Sequence, residues 1–251
     1  MITVNSSYRA LLSIIIVMLF ISSCSSNTTV IPSTPAIASH TITPSETITP
    51  TPTLTPTKSY PEWPITFEET FDDTRRNWIY DTYSGELFTG YFSVFDGRYI
   101  VNVTAFEGFI LSLSSYTKDV HSIDVSVDAD KSFGSYNSSY GLILRHDKNH
   151  MYYFEIFEET QQYEFSVLID EQWKILIKRT GTPFIIPQLV NTIRVMIKGQ
   201  IFTLMINGKI VNQIEDKTSS SGQVGIGISM ERPGDKLLIA FDNFIVREPN
   251  A

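Results

Sequence analysis

The chain has 251 residues, with 27 acidic and 19 basic side chains, a formal charge of −8 and one cysteine. Its first sixty residues carry only Arg9, Glu46 and Lys58 as charges, so nearly all the acidity lies downstream. An acidic domain with scattered Lys and Arg lacks the phosphate-neutralising surface on which nucleic-acid affinity rests, so nucleic acid is excluded as a partner.

Residues 1–23 read as a secretory signal. Arg9 supplies a weakly positive start, and Ala10 to Ile21 (ALLSIIIVMLFI) is an apolar run too short to span a bilayer comfortably. The following Ile21-Ser22-Ser23-Cys24 resembles the lipobox cut by bacterial lipoprotein signal peptidase. That resemblance implies lipidation of Cys24, a membrane anchor there, and a place in the bacterial cell envelope on the extracytoplasmic face.

Residues 24–64 read as a disordered linker rich in Thr, Ser and Pro (TITPSETITPTPTLTPTKSYPEWP). Alternating Thr-Pro disfavours helix and lacks ladder donors, so the segment is expected to stay extended and solvated. At roughly 3 Å per residue it would hold a domain on the order of 100 Å from the lipid.

From Ile65 the composition shifts to aromatics, Gly and charge together, and residues 65–251 read as one domain. Strands are expected at 65–71, 90–95, 98–104, 109–113, 120–129, 140–145, 151–158, 163–169, 173–178, 192–198, 201–206, 209–214, 222–230 and 236–246. No segment sustains a helical period. The middle of the domain is clearest, because successive strand side chains point to opposite faces. In MYYFEIFE, Tyr152, Phe154 and Ile156 share one face, and Tyr153, Glu155 and Phe157 share the other. The Asn207-Gly208 pair suits a type I′ hairpin turn. The expected fold is all-β: an antiparallel two-sheet sandwich.

The order of FEETFDDTRRNW, DGRYIV, YGLILRHDKNHMYYFEI, NTIRVMIKGQIFTLMINGKIV, SGQVGIGIS and FDNFIV resembles concanavalin A-like lectin/glucanase jelly rolls. It looks closest to laminin-G-like and 3-keto-disaccharide hydrolase-like domains of bacterial surface proteins. The resemblance covers Phe67 to Val246 and implies a jelly roll closed by pairing of the N-terminal FEETF with the C-terminal FDNFIV. Its motifs are structural, so it implies carbohydrate or a cell-envelope polymer as partner without naming a reaction.

Glucanases of this fold carry Glu-x-Asp-x-x-Glu. Here Asp124 and Asp128 share a face about 13 Å apart with no flanking Glu, too far for acid and nucleophile. Glu155 and Glu158 fall on opposite faces. His146 and His150 flank Asp147 in a turn, without the further ligands zinc needs. No nucleophile elbow is present, and the lone Cys is the lipid site. Asp72, Asp73 and Asp242 lie near the two termini that should meet, and oxygen ligands there would suit a structural calcium, as the resemblance implies. Arg145, Tyr153 and Glu155 lie on adjacent strands where alternation places them on one face, with Gln162 and Glu164 beside them. That mixture of aromatic ring, charge and hydrogen-bonding group is the expected carbohydrate site. The alternatives are a glycoside hydrolase, which needs a carboxylate cluster the spacing does not supply, and an adhesive domain with a protein partner.

Overall fold

A computed structural model describes residues 62–72, 78–114 and 116–250. Cys24, the linker up to Pro61, and Asp73 lie outside the described residues. The rest forms two antiparallel sheets. The nine-stranded sheet runs in the order β13 (Lys209–Glu215), β12 (Ile201–Ile206), β11 (Asn191–Lys198), β6 (Ile123–Gly134), β15 (Lys236–Arg247), β4 (Arg98–Ala105), β3 (Phe88–Phe95) and β2 (Asp81–Ser84). Its remaining strand, β1 (Ile65–Glu69), pairs with the end of β15. The six-stranded sheet runs β10 (Gln172–Gly181), β9 (Gln162–Ile169), β8 (His150–Phe157), β7 (Ser138–His146), β14 (Gln223–Met230) and β5 (Phe109–Leu113). Among the described residues the only helical element is the 3-10 turn Glu158–Thr160.

The period-2 alternation is what packs the sheets. One phase of β7, β8 and β9 sends Leu142, Leu144, Phe154, Ile156 and Phe165 into the interior. Val101, Val125, Val195 and Phe241 meet them from the other sheet. Each such side chain contributes about 1.5–3 kcal/mol when removed from water. Rings join the layers directly: Phe88 of β3 stacks on Phe109 of β5 at 4.6 Å, and Tyr152 of β8 meets Phe202 of β12 at 4.7 Å.

The termini pair as expected, with Ile65 opposite Arg247 and Glu69 opposite Phe244, but on the inner strand β15, so the sheet's edges remain β13 and β2. Glu69 is buried there. It accepts the Phe71 amide at 3.0 Å and the Trp78 indole N–H at 3.1 Å. Trp78 in turn packs on Phe71 and Phe244, so the polar closure sits inside an aromatic cage. Strand β2 was not expected. Its Asp-Thr-Tyr-Ser has too short an apolar pattern to register alone, and it is held by pairing with β3.

Candidate functional site

The residues singled out from the sequence converge on β7 and β8, and the structure separates them. Register places Tyr153 opposite Ile143 and Glu155 opposite Gly141, on the outer face of the six-stranded sheet. Simple alternation would add Arg145. Instead Arg145 adopts a left-handed φ of 47°, and the β7–β14 pairing slips between Gln223 and Gly225. The side chain therefore turns inward. Its guanidinium donates to the carbonyl oxygens of Ser219, His121 and Gly199, and lies 5.2 Å from the Phe202 ring. Arg145 is 1% exposed. It ties three loops together and shares no surface with Tyr153 and Glu155.

The outer face of the six-stranded sheet is hollow. Arg179 on β10 pairs with Glu231, the first residue after β14, and its guanidinium carbon sits 3.7 Å from the centre of the Phe157 ring on β8. Four inter-strand steps separate β10 from β14, about 19 Å in a flat sheet. Two side chains cover that span only because the sheet rolls toward its outer face. Within the hollow, Ile143, Met151, Tyr153 and Leu168 form a second apolar cluster, with Trp173 and Ile110 packed at its margin.

Two glycines shape its floor. A Cβ at Gly227 would meet the Tyr153 ring at 2.4 Å, and one at Gly141 would lie 1.9 Å from the Phe154 carbonyl oxygen. Gly227 of GQVGIGIS thus leaves the space the Tyr153 ring occupies. Tyr153 is fully buried, with the Ser139 hydroxyl beside its own; the Trp173 indole N–H is buried and has no hydrogen-bond partner.

The cross-strand register also creates a carboxyl pair that spacing along one strand could not show. Glu155 of β8 faces Glu164 of β9 directly. Ser139 donates to Glu155. Burial, and after it the nearby Glu164, push the Glu155 carboxyl up to about 8, so it is neutral at pH 7. Burial raises Glu164 as well, but Arg179, 3.6 Å away, holds it down in part. Arg179, Glu164 and Glu231 are part-exposed and form the rim, while Tyr153 and Glu155 lie beneath it. Gln162 stands one register step away, opposite Phe157.

The other candidates have structural occupations. Asp124 pairs with Arg194, Asp128 accepts from Thr192 and Asn243, and Asp147 closes its own turn through the Asn149 and His150 amides. Asp72 accepts the Thr70 hydroxyl at 2.7 Å, and Asp242 accepts the Asn243 amide at 2.7 Å. Burial, then Asp128 and Asp72, raise the Asp242 carboxyl, so these acids are neighbours. Among the described residues no three His, Cys, Asp or Glu side chains are grouped to hold a metal.

No protein-family model matches the chain, and no characterised protein matches its sequence. Solved structures do match its fold. The GlcNAcα1-4Gal-releasing endo-β-galactosidase of Clostridium perfringens aligns over 76% of this chain and 64% of its own, at 9% identity and a TM-score of 0.57. The laminarinase catalytic domain of Thermotoga petrophila aligns over 76% and 99% at 8% identity and 0.53. The laminarinase of Flavobacterium aligns over 74% and 100% at 11% identity and 0.53. The domain is a concanavalin A-like jelly roll. At these identities the likeness speaks for the fold alone.

Proposed function

We propose that the chain is a surface lipoprotein whose jelly-roll domain binds carbohydrate in the hollow of the six-stranded sheet. One observation carries this reading: a rolled sheet face with ion-paired groups on its rim, Arg179 with Glu164 and Glu231, beside the Trp173 indole N–H, which is buried without a hydrogen-bond partner. Buried polar groups in native proteins are usually satisfied, so an unpartnered N–H at the margin of the face points to a partner that arrives from outside. Arg179, Glu164, Glu231 and the edge of Trp173 form the contact layer. Tyr153 and Glu155 support it from below. The glycan-acting enzymes that share the fold agree with a saccharide partner. Cys24 would hold the domain to the outer face of a bacterial membrane, with the Thr/Pro tract as spacer.

The test is retention of the full chain, purified in detergent, in gels containing polysaccharides. Retention should weaken at least tenfold in Arg179→Ala. Equal retention of wild type and variant would place the ligand elsewhere.

A hydrolytic reading has its own observation, the facing Glu155 and Glu164, one neutral and one held by Arg179. Glycoside cleavage uses two carboxyls across the scissile bond, one of them protonated. Against it, Glu155 is 7% exposed and engaged by Ser139. Release of reducing sugar by wild type but not by Glu155→Gln would establish cleavage.

A calcium bridging Asp72 and Asp242 is an addition to the proposal, supported by their proximity and needing Asp73 or backbone oxygens to complete its shell. A lower Tm in EDTA would support it, and an unchanged Tm would remove the ion.

A further inference from the structure

The opposite side of the sandwich carries a second concavity. It is a depression of about 370 Å3 on the outer face of the nine-stranded sheet, floored by Ile100, Leu238 and Ala240. Its volume lies within the range of small-ligand sites. Tyr91 and Phe95 flank it from β3, on the strand phase where a solvated sheet face usually carries polar side chains. Phe133 stands in register with Tyr91 through Asn102 and Leu238, three strands away. These rings are not core: Phe95 is 70% exposed, Phe133 58% and Tyr91 49%. Four residues along β3 separate Tyr91 from Phe95 by about 13 Å, and three inter-strand steps separate Tyr91 from Phe133 by about 14 Å. The enclosed floor is wider than one sugar ring.

We infer that this depression is a second ligand site, which takes a run of uncharged sugar rings. The aromatic faces and aliphatic floor suit the apolar faces of pyranose rings, and Ser93, Ser132 and the Arg98–Asp130 pair supply hydrogen bonds at the margin. Charge selects among the candidates. Asp72, Asp128 and Asp242 lie close to one another, with Arg98 near Asp242, so the polar end holds more carboxylates than cations. That field refuses uronates, sulfated polymers and anionic lipid headgroups, and tolerates neutral glycans. An apolar protein partner fits less well, because Ser93, Asn102 and the Arg98–Asp130 pair interrupt the apolar surface around the rings. The two hollows face away from each other across the core. A chain with both could cross-link polymer strands or hold one strand at two points.

The experiment follows retention of the full chain in gels containing laminarin, mixed-linkage glucan, galactomannan or alginate. Tyr91→Ala/Phe95→Ala is made in the wild type and in Arg179→Ala, with Phe133→Ala as an independent third-ring variant. All three rings are exposed, and unchanged circular dichroism confirms folding. Arg179→Ala should keep residual affinity for at least one neutral polymer. The double substitution should weaken that residue at least tenfold, Phe133→Ala should weaken it severalfold, and alginate should not retard the chain. Retention unaffected by the ring variants would overturn the inference, as would alginate binding as strong as neutral binding, or no retention of wild type by any neutral polymer. Loss confined to Arg179→Ala would leave the six-stranded site standing and remove this one. Loss confined to the ring variants would do the reverse.

Discussion

The outer face of the six-stranded sheet buries its aromatic and apolar side chains, while that of the nine-stranded sheet exposes a group of aromatic rings on β3 and β6. On the first, Tyr153 and Ile143 have no exposure, although each sits on the phase that points away from the core. On the second, the same phase carries Asp124, buried against Arg194, the part-exposed Asp130–Arg98 pair, and the exposed rings of Tyr91, Phe95 and Phe133. Composition alone does not make the difference. The six-stranded sheet rolls, so neighbouring side chains on its concave side converge and cover one another. The same alternating pattern thus yields a second small core on one side and a solvated surface on the other.

Substitutions that attack this contrast should differ widely in effect. The largest is expected for Arg145→Ala, which frees the carbonyls of Ser219, His121 and Gly199 at once and leaves a void inside the sandwich. A loss of about 4 kcal/mol in chemical denaturation is expected. Had Arg145 pointed into the hollow as alternation suggested, the loss would be small and glycan retention would fall instead. Next is Gly141→Ala, whose new methyl would collide with the β8 backbone at the Phe154 carbonyl. It should cost on the order of 3 kcal/mol by the same measurement. A neutral result would mean that β7 and β8 approach less closely than described.

Titration sharpens the contrast further. The Glu155 carboxyl rises from its ordinary 4.5 to about 8 on folding, through burial first and Glu164 after. Below pH 4.5 both states hold the proton and its contribution to stability is complete. Between pH 4.5 and 8 the unfolded chain gives up the proton and the folded chain keeps it, so stability falls as pH rises, by up to about 1.4 kcal/mol per pH unit. Glu155→Gln should flatten that slope, and parallel slopes for the two proteins would show that Glu155 is solvated. The smallest effect belongs to the open face. Phe133→Ala should change stability by no more than about 0.5 kcal/mol, because its ring is largely in water.

Much of the fold was legible because alternation survives wherever one strand face is buried. The β11–β12–β13 meander, the Asn207-Gly208 turn and the closure of β1 on β15 all follow from local pattern. The site was less legible, for three physical reasons. The direction of Arg145 depends on one left-handed residue at an irregularity, which periodicity averages away. Alternation placed Glu164 beside Glu155, but only the register of the hairpin sets the two carboxyls directly opposite each other. Arg179 reaches Glu231 because the sheet rolls, and curvature leaves no local mark in a sequence. Tyr91 and Phe95 did leave one. Aromatics occupy both phases of FTGYFSVF, and the second phase has no core to fill.

The most direct measurement of the central claim is Trp173 fluorescence during saccharide titration of the full chain. Trp173 lies at the margin of the six-stranded hollow with its indole N–H unpartnered, whereas Trp78 is buried at the seam, bonded to Glu69. A glycan bound in the hollow should shift the emission saturably in wild type and leave Trp173→Phe unchanged. Polymer retention with no change in emission, or an equal shift in Trp173→Phe, would contradict a site on that face.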